Sequence, residues 1–216
     1  MRVVAGSARG RKLKAPPPES GTRPILDRVK TALFDTLAGD VVDATFLDLF
    51  AGTGAIGIEA LSRGAKAATF IELDPEIAAL VRENLAITRL ADRATVTRSD
   101  AFTWLAYTAR HGVSFDIVYV APPQYQGMAA RALTQLDTAP LTLPGALVIV
   151  QIDPKERAEL AALPLHNLRL YDERRYGHTL LLYYQHGDES ADTRDADNIE
   201  DTADESALDD PRAQEG

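Results

Sequence analysis

The sequence predicts an α/β protein built on a mostly parallel sheet, with helices on both faces and an antiparallel hairpin at one edge. Three observations carry this prediction. Short apolar runs alternate with segments of helical periodicity, a glycine-rich turn directly follows the first run, and the last two runs have no helix between them. A chain of 216 residues, 45% apolar and 25% charged, suits one such domain with appendages.

Taken in order, Thr45–Phe50 (TFLDLF) is the first strand, and Ala-Gly-Thr-Gly ends it in a tight turn. Ala55–Arg63 carries Ile56, Ile58, Ala60 and Leu61 at helical spacing and stops at Gly64, which tolerates the left-handed conformation that ends helices. Ala67–Ile71 is the second strand. Asp74-Pro75 then caps and opens a helix to about Thr88, with proline at the first position, where its missing N–H costs nothing. Ala94–Arg98 is the third strand, and Asp100 can cap a helix near Ala101–Arg110. Trp104 lies on that helix with Phe102 and Leu105 and is expected in the core. Phe115–Val120 (FDIVYV) is the fourth strand, Met128–Leu136 is helical, Ala146–Ile152 is the fifth strand, and Asp153-Pro154 opens another helix. Leu168–Tyr171 and Thr179–Tyr184 (TLLLYY) close the pattern as two strands joined through Glu173–His178. Arg174 and Arg175 read as edge charges that discourage further strand pairing.

Composition removes several classes of function. No apolar run approaches the roughly 18 residues a membrane helix needs. The start, MRVVAGSARGRKLK, has no apolar segment of the secretory kind, so a cytoplasmic protein is expected. Zero cysteines and four scattered histidines point away from disulfides, thiolate nucleophiles and metal. A monomer is expected. The net charge of −9 is unevenly placed. Residues 187–216 hold 12 acids against two arginines, a net of −10, with only Ile199 and Leu208 as aliphatic side chains larger than alanine. Such a segment cannot bury enough apolar surface to offset its ordering entropy, and it reads as an acidic disordered tail. Residues 1–30 carry a net of +6. Alternation in Arg9-Gly10-Arg11-Lys12-Leu13-Lys14 suits a hairpin strand with one charged face, and Pro16-Pro17-Pro18 makes a stiff exit. The expected division is a basic arm over 1–20, a main domain over 21–186 and the tail over 187–216.

The chemistry concentrates at strand ends. Gly52, Gly54 and Gly57 satisfy G-x-G-x-x-G after a strand and before a helix. Glu72 follows at the end of the second strand, where an acid can accept bonds from ribose hydroxyls. The pattern defines a nucleotide-type crevice. If the ligand were NAD, Asp48, four residues ahead of Gly52, would repel the pyrophosphate; it suits a ligand bearing an ammonium and a sulfonium.

The string D-L-F-A-G-T-G, Glu72 within FIELD, and Asp100 after the third strand resemble the successive cofactor motifs of class I S-adenosylmethionine-dependent methyltransferases. That resemblance implies a Rossmann-like sheet of seven strands and S-adenosyl-L-methionine as cofactor. It also implies a cofactor-binding set of Asp48, Phe50, Ala51, Gly52, Thr53, Gly54, Glu72, Leu73, Asp100 and Ala101. Within it, Asp48 lies near the methionine end, Glu72 holds the ribose, and Asp100-Ala101 meets the adenine; a plain helix cap is the competing role for Asp100. Met1–Lys14, Thr22–Phe34 (TRPILDRVKTALF), Asp48–Gly64 and Arg175-Tyr176-Gly177 further resemble the RsmD family of bacterial 16S rRNA guanine-N2 methyltransferases, over roughly residues 1–185. The resemblance implies a partner in 16S rRNA or the small ribosomal subunit. It makes Arg2, Arg9, Arg11, Lys12, Lys14, Arg23 and Arg28 candidate RNA contacts, against the alternative of a merely solvated basic face. The acidic tail is then expected to compete with RNA for the arm.

One motif departs from the pattern. Amino-directed methyltransferases carry Asp/Asn-Pro-Pro-aromatic after the fourth strand, and this chain has Ala121-Pro122-Pro123-Gln124-Tyr125. The first position has lost its acceptor and the aromatic is displaced by one. Acceptors matter because an exocyclic amine has its lone pair delocalised into the base. Gln124 is the expected substitute acceptor, beside the backbone carbonyl of Pro122, and Tyr125 the stacking ring. The departure leaves three other readings: a shifted target such as another rRNA position or adenine N6, a NAD-binding oxidoreductase, or a non-catalytic rRNA-binding assembly factor.

Overall fold

The computed structural model describes residues 1–17 and 25–187. Arg23, Pro18 and the segment 188–216 read as an acidic tail lie outside the described residues.

Seven strands form one sheet in the order β3-β2-β1-β4-β5-β7-β6. They are β1 (Thr45–Asp48), β2 (Ala67–Glu72), β3 (Ala94–Arg98), β4 (Phe115–Val120), β5 (Thr142–Ile152), β6 (Leu168–Tyr176) and β7 (Thr179–His186). Pairing is parallel from β1 to β5, and β7 runs antiparallel to both β5 and β6. The chain winds outward from β1 through β2 to β3, then returns to start again at β4. The reversal between β1 and β4 opens a crevice at their carboxyl ends, where sheets of this kind take ligands.

Alternation along the strands sends successive side chains to opposite faces. Phe46, Ile117, Ile149 and Leu181 pack on one face with α1 (Asp27–Leu37), α2 (Ala55–Ser62) and α3 (Pro75–Thr88). Leu47, Val118, Val150 and Leu182 pack on the other with α4 (Ala101–Thr108), α5 (Met128–Thr138) and the short α6 (Arg157–Ala161). Each fully buried Leu or Phe contributes about 1.5–3 kcal/mol, so the two clusters hold the sheet from both sides. Trp104 packs against the second cluster, its ring 6.1 Å from that of Phe115.

Several boundaries differ from the sequence expectation, each for a physical reason. Helix α1 was not read from the sequence, although Val29, Leu33, Phe34 and Leu37 share its buried side; its N-cap, Leu26, makes no side-chain cap bond. Strand β5 begins at Thr142 rather than Ala146, because Pro144 and Gly145 sit in an irregularity that shifts its register against β4. Strand β6 runs five residues further, to Tyr176, and is the sheet edge; its outer half, Asp172 to Arg175, is charged, as edges that must not pair further usually are.

The N-terminal segment folds back on itself as a narrow antiparallel ribbon, a short form of the expected hairpin. A single antiparallel bridge joins Arg2 and Lys12. Val3 N–H donates to Arg11 O at 3.0 Å, and Gly10 N–H to Val3 O at 2.9 Å. Val3, Ala8 and Leu13 enter the first core cluster, while Lys12 and Lys14 face outward. No helix among the described residues is long and apolar enough to cross a membrane.

Candidate active site

The turns after β1, β2, β3 and β4 all lie at one edge of the sheet, because these strands are parallel. The Gly177-His178 turn between β6 and β7 reaches the same edge, since Leu180 pairs with Ile152 at the end of β5.

Asp48 ends β1 and is almost fully buried. Its Oδ2 accepts from Gly57 N–H at 3.0 Å, so it caps α2 from a neighbouring strand; the sequence-adjacent cap, Gly54, has no side chain to do so. Burial pushes the Asp48 carboxyl up to about 7, with the Gly57 bond opposing and the nearby Glu72 charge adding to the rise. A buried acid poised there gains from a cation placed beside it. Gly54 lies at φ 75°, a left-handed turn that carries the chain into α2. Gly57 serves packing: a Cβ there would stand 2.3 Å from the Phe70 ring.

Glu72 braces the glycine loop from β2. Its Oε2 accepts from Gly52 N–H and its Oε1 from Asp74 N–H, both at 2.9 Å. A carboxylate has about four acceptor positions, so two remain for hydroxyl donors in the crevice. Leu73 beside it is 63% exposed, an apolar lip on an otherwise polar turn. Phe50 meets Phe102 edge-on at 6.0 Å. Asp100 caps α4 through Thr103 N–H at 2.8 Å, and that backbone bond holds its carboxyl below the usual range. Its cap role is therefore present, with Oδ1 used for the cap. Asp48, Phe50 to Gly54, Glu72, Leu73, Asp100 and Ala101 thus gather at one edge. Their donor set, an acid for an ammonium, a carboxylate for hydroxyls and an apolar lip, fits a nucleoside that carries an amino acid.

After β4, Ala121 packs against the first core cluster, Pro122 is buried and Pro123 is exposed. Gln124 is half-buried, and its side chain makes no hydrogen bond among the described residues. Tyr125 is 59% exposed at φ 61°. Left-handed backbone costs a residue with a Cβ about 1–2 kcal/mol, and two acids supply contacts that hold it. Tyr125 N–H donates to Glu156 Oε1 at 2.9 Å. Tyr125 also hydrogen-bonds the Asp153 carboxylate, which sits below its usual range chiefly through Lys155 N–H. Sequence reading missed Glu156; the Asp-Pro-x-Glu spacing of a capping box was its available signal.

The basic residues are placed unequally. Arg2 faces Asp27 at 3.6 Å, Lys14 pairs with Glu83 at 2.9 Å, and Arg11 donates to the Ile87 carbonyl. Arg9 and Lys12 are exposed with no ion-pair partner among the described residues. Arg28 is exposed on α1 beside Gly177, whose carbonyl accepts from Arg175 Nε at 3.1 Å. Lys30, counted in the basic N-terminal charge, contributes nothing to a surface: it is fully buried 3.0 Å from Glu59. Glu59 also accepts from the N–H groups of Val4 and Ala5, each at 2.8 Å, and from Arg63 at 3.1 Å. Buried Asn84 ties the ribbon to the glycine loop. It accepts from Lys14 N–H at 2.8 Å and donates to Thr53 O at 3.0 Å. Among the described residues no group of His, Cys, Asp or Glu could hold a metal ion. A cavity of about 490 Å³ lies at the opposite edge, between Asp43, Asp116 and Leu143, away from these residues.

A sheet of this order, reversed between β1 and β4 and finished by an antiparallel strand, is that of the class I methyltransferases, and solved relatives share it. A putative methyltransferase in complex with SAH has the same fold at a TM-score of 0.60 and 17% identity. The putative methyltransferase yhhF from Escherichia coli superimposes with a TM-score of 0.74 at 36% identity, covering 87% of this chain and 98% of that one. The family model described as Conserved hypothetical protein 95 matches residues 1–185. Ribosomal RNA small subunit methyltransferase D of Escherichia coli (strain K12) is 39% identical over 186 residues, 86% of this chain and 89% of that protein. A putative rRNA methyltransferase, YlbH of Bacillus subtilis (strain 168), is 35% identical over 153 residues, 71% of this chain and 83% of that protein. The chain belongs to the RsmD family of S-adenosylmethionine-dependent methyltransferases.

Proposed function

We propose that the protein methylates the exocyclic N2 amine of a guanine in small-subunit rRNA. One observation carries this reading. The glycine loop braced by Glu72 and the Pro-Pro-Gln-Tyr turn with its outward tyrosine share one edge of the sheet. Family membership supports the class of reaction and the RNA substrate, and leaves the oxidoreductase reading without support.

When bound, S-adenosylmethionine supplies an electrophilic methyl on a sulfonium. Asp48 holds the ammonium end and Glu72 the ribose hydroxyls. Leu73 and Phe50 flank the base, with Asp100-Ala101 at its polar edge. The Pro122 carbonyl and the Gln124 amide oxygen accept from the two amine hydrogens and aim the nitrogen lone pair. Tyr125 stacks on the extruded guanine, a contact of roughly 1–3 kcal/mol. The amine nitrogen would take the methyl as its bond to sulfur breaks, with S-adenosylhomocysteine as the leaving thioether, and the cationic amine would then lose its proton to solvent, so no general base is required. Arg9, Lys12 and Arg28 meet phosphates, with Arg23 a further candidate. The enzyme acts as a monomer and without a metal.

The test is incubation with labelled S-adenosylmethionine and naked rRNA, small subunits or DNA, followed by nucleoside mass spectrometry. N2-methylguanosine in small-subunit RNA is the expected product. Label on adenine N6 would show a shifted target, and binding without label would favour an assembly factor.

A further inference from the structure

We propose that Glu156 is the positioning residue that makes the displaced Tyr125 usable as the base-stacking face, an inference that rests on the stacking role given to Tyr125 above. Where an aromatic directly follows two prolines, the rigid prolines set its direction. Here Gln124 intervenes, and an extra residue of ordinary extended backbone would turn the ring to the opposite side. The chain instead bends through a left-handed Tyr125 at φ 61°, a conformation that bulky side chains avoid unless their surroundings impose it.

Glu156 supplies a hold that proline rigidity no longer reaches. Its side chain is buried, and each oxygen serves a backbone donor: Oε1 takes Tyr125 N–H at 2.9 Å and Oε2 takes Asp153 N–H at 3.1 Å. No lysine or arginine pairs with it among the described residues, so its burial is satisfied by these N–H groups. One carboxylate therefore staples the loop after β4 to the loop after β5. Gly127, two residues on, is also left-handed and leads into α5, so the whole turn is anchored at Glu156 on one side and at the helix on the other. Glu156 touches neither cofactor nor base in this scheme. It acts through Tyr125.

A double-mutant cycle on the full chain tests this, using Glu156→Ala, Tyr125→Ala and the pair. The readouts are kcat/KM for small-subunit RNA, S-adenosylhomocysteine affinity by calorimetry, and thermal unfolding. Glu156→Ala should lower kcat/KM about tenfold while cofactor affinity stays within about twofold. The double variant should be no worse than Tyr125→Ala alone, because both remove one function. Glu156→Gln keeps a carbonyl acceptor for Tyr125 N–H and should recover most of the loss; it also serves if the alanine variant folds poorly. Additive losses, unchanged kcat/KM in Glu156→Ala, no recovery in Glu156→Gln, or a parallel fall in cofactor affinity would each overturn the assignment. An inactive wild-type chain would instead overturn the underlying methyltransferase reading, and with it this one.

Discussion

The N-terminal ribbon and the Pro-Pro-Gln-Tyr turn present opposite kinds of attachment. The ribbon has the composition of a loose, solvated basic strand, yet Glu59, Lys30, Ser62 and Asn84 fasten it to α1, α2 and α3 through buried and part-buried bonds, that of Lys30 being donated to the Arg2 carbonyl. The turn after β4 has the composition of a rigid motif, yet it exposes its aromatic and relies on acids from the next loop. The lesson concerns range. What fixes the ribbon comes from 28 to 70 residues away in the chain, and the Glu156 bond that holds the turn comes from 31 residues away. Neither anchor belongs to the local pattern.

Breaking the ribbon's anchor should have the largest effect. Glu59→Ala leaves the Lys30 ammonium buried without its counter-charge, at a cost of about 3–5 kcal/mol in urea unfolding. A loss below about 1 kcal/mol would place the two regions on equal footing. Next comes Asp48. Its folded-state carboxyl titrates near 7, above the ordinary 3.8, so the stability tied to protonated Asp48 is present in acid and is lost as pH rises through 7. Asp48→Asn keeps an acceptor for Gly57 N–H and should stabilise the ligand-free protein at pH 8 relative to wild type, by up to roughly 4 kcal/mol. The advantage should shrink toward pH 5, and the variant should bind S-adenosylhomocysteine more weakly. A gap that does not vary with pH, measured by thermal unfolding, would contradict the buried-acid account.

Tyr125→Ala should cost about 1–3 kcal/mol of transition-state binding in kcat/KM and little stability, because the ring is mostly exposed. The smallest effect separates the basic residues. Arg9→Ala with Lys12→Ala should reduce the salt slope of RNA binding by about two without changing unfolding. Lys14→Ala, already paired with Glu83, should change the slope less. Equal slopes would mean that ion pairing within the ribbon does not sort its charges.

Most of the sheet was legible because strands covered on both faces leave apolar runs, and because Asp74, Asp100 and Asp153 sit where helix caps are expected and do cap. The glycine turn after β1 and the acid at the end of β2 were legible through the spacing of Gly52, Gly54 and Glu72, and Glu72 does reach back to Gly52 N–H. Helix α1 was hidden by its unremarkable start and by a buried lysine, which a local reading assigns to the surface. Asp48 was read only as a candidate cofactor residue; that it caps α2 depends on how the glycine turn folds the helix back against the end of β1, which spacing alone does not give. The extension of β5 through Pro144 and Gly145 was masked by residues that ordinarily break strands.

Asn84 has a consequence for how the molecule comes apart. Its amide oxygen accepts from Lys14 N–H while its NH2 donates to Thr53 O, so the ribbon and the glycine loop fix the orientation of one buried side chain, and peeling the ribbon from α3 removes half of what orients that amide toward the loop. The two segments should open as a single cooperative unit, and their backbone amides should exchange with deuterated solvent at matched rates. A ligand that closes the crevice would then slow exchange in the ribbon, although the ribbon's Lys14 lies far along the chain from Thr53.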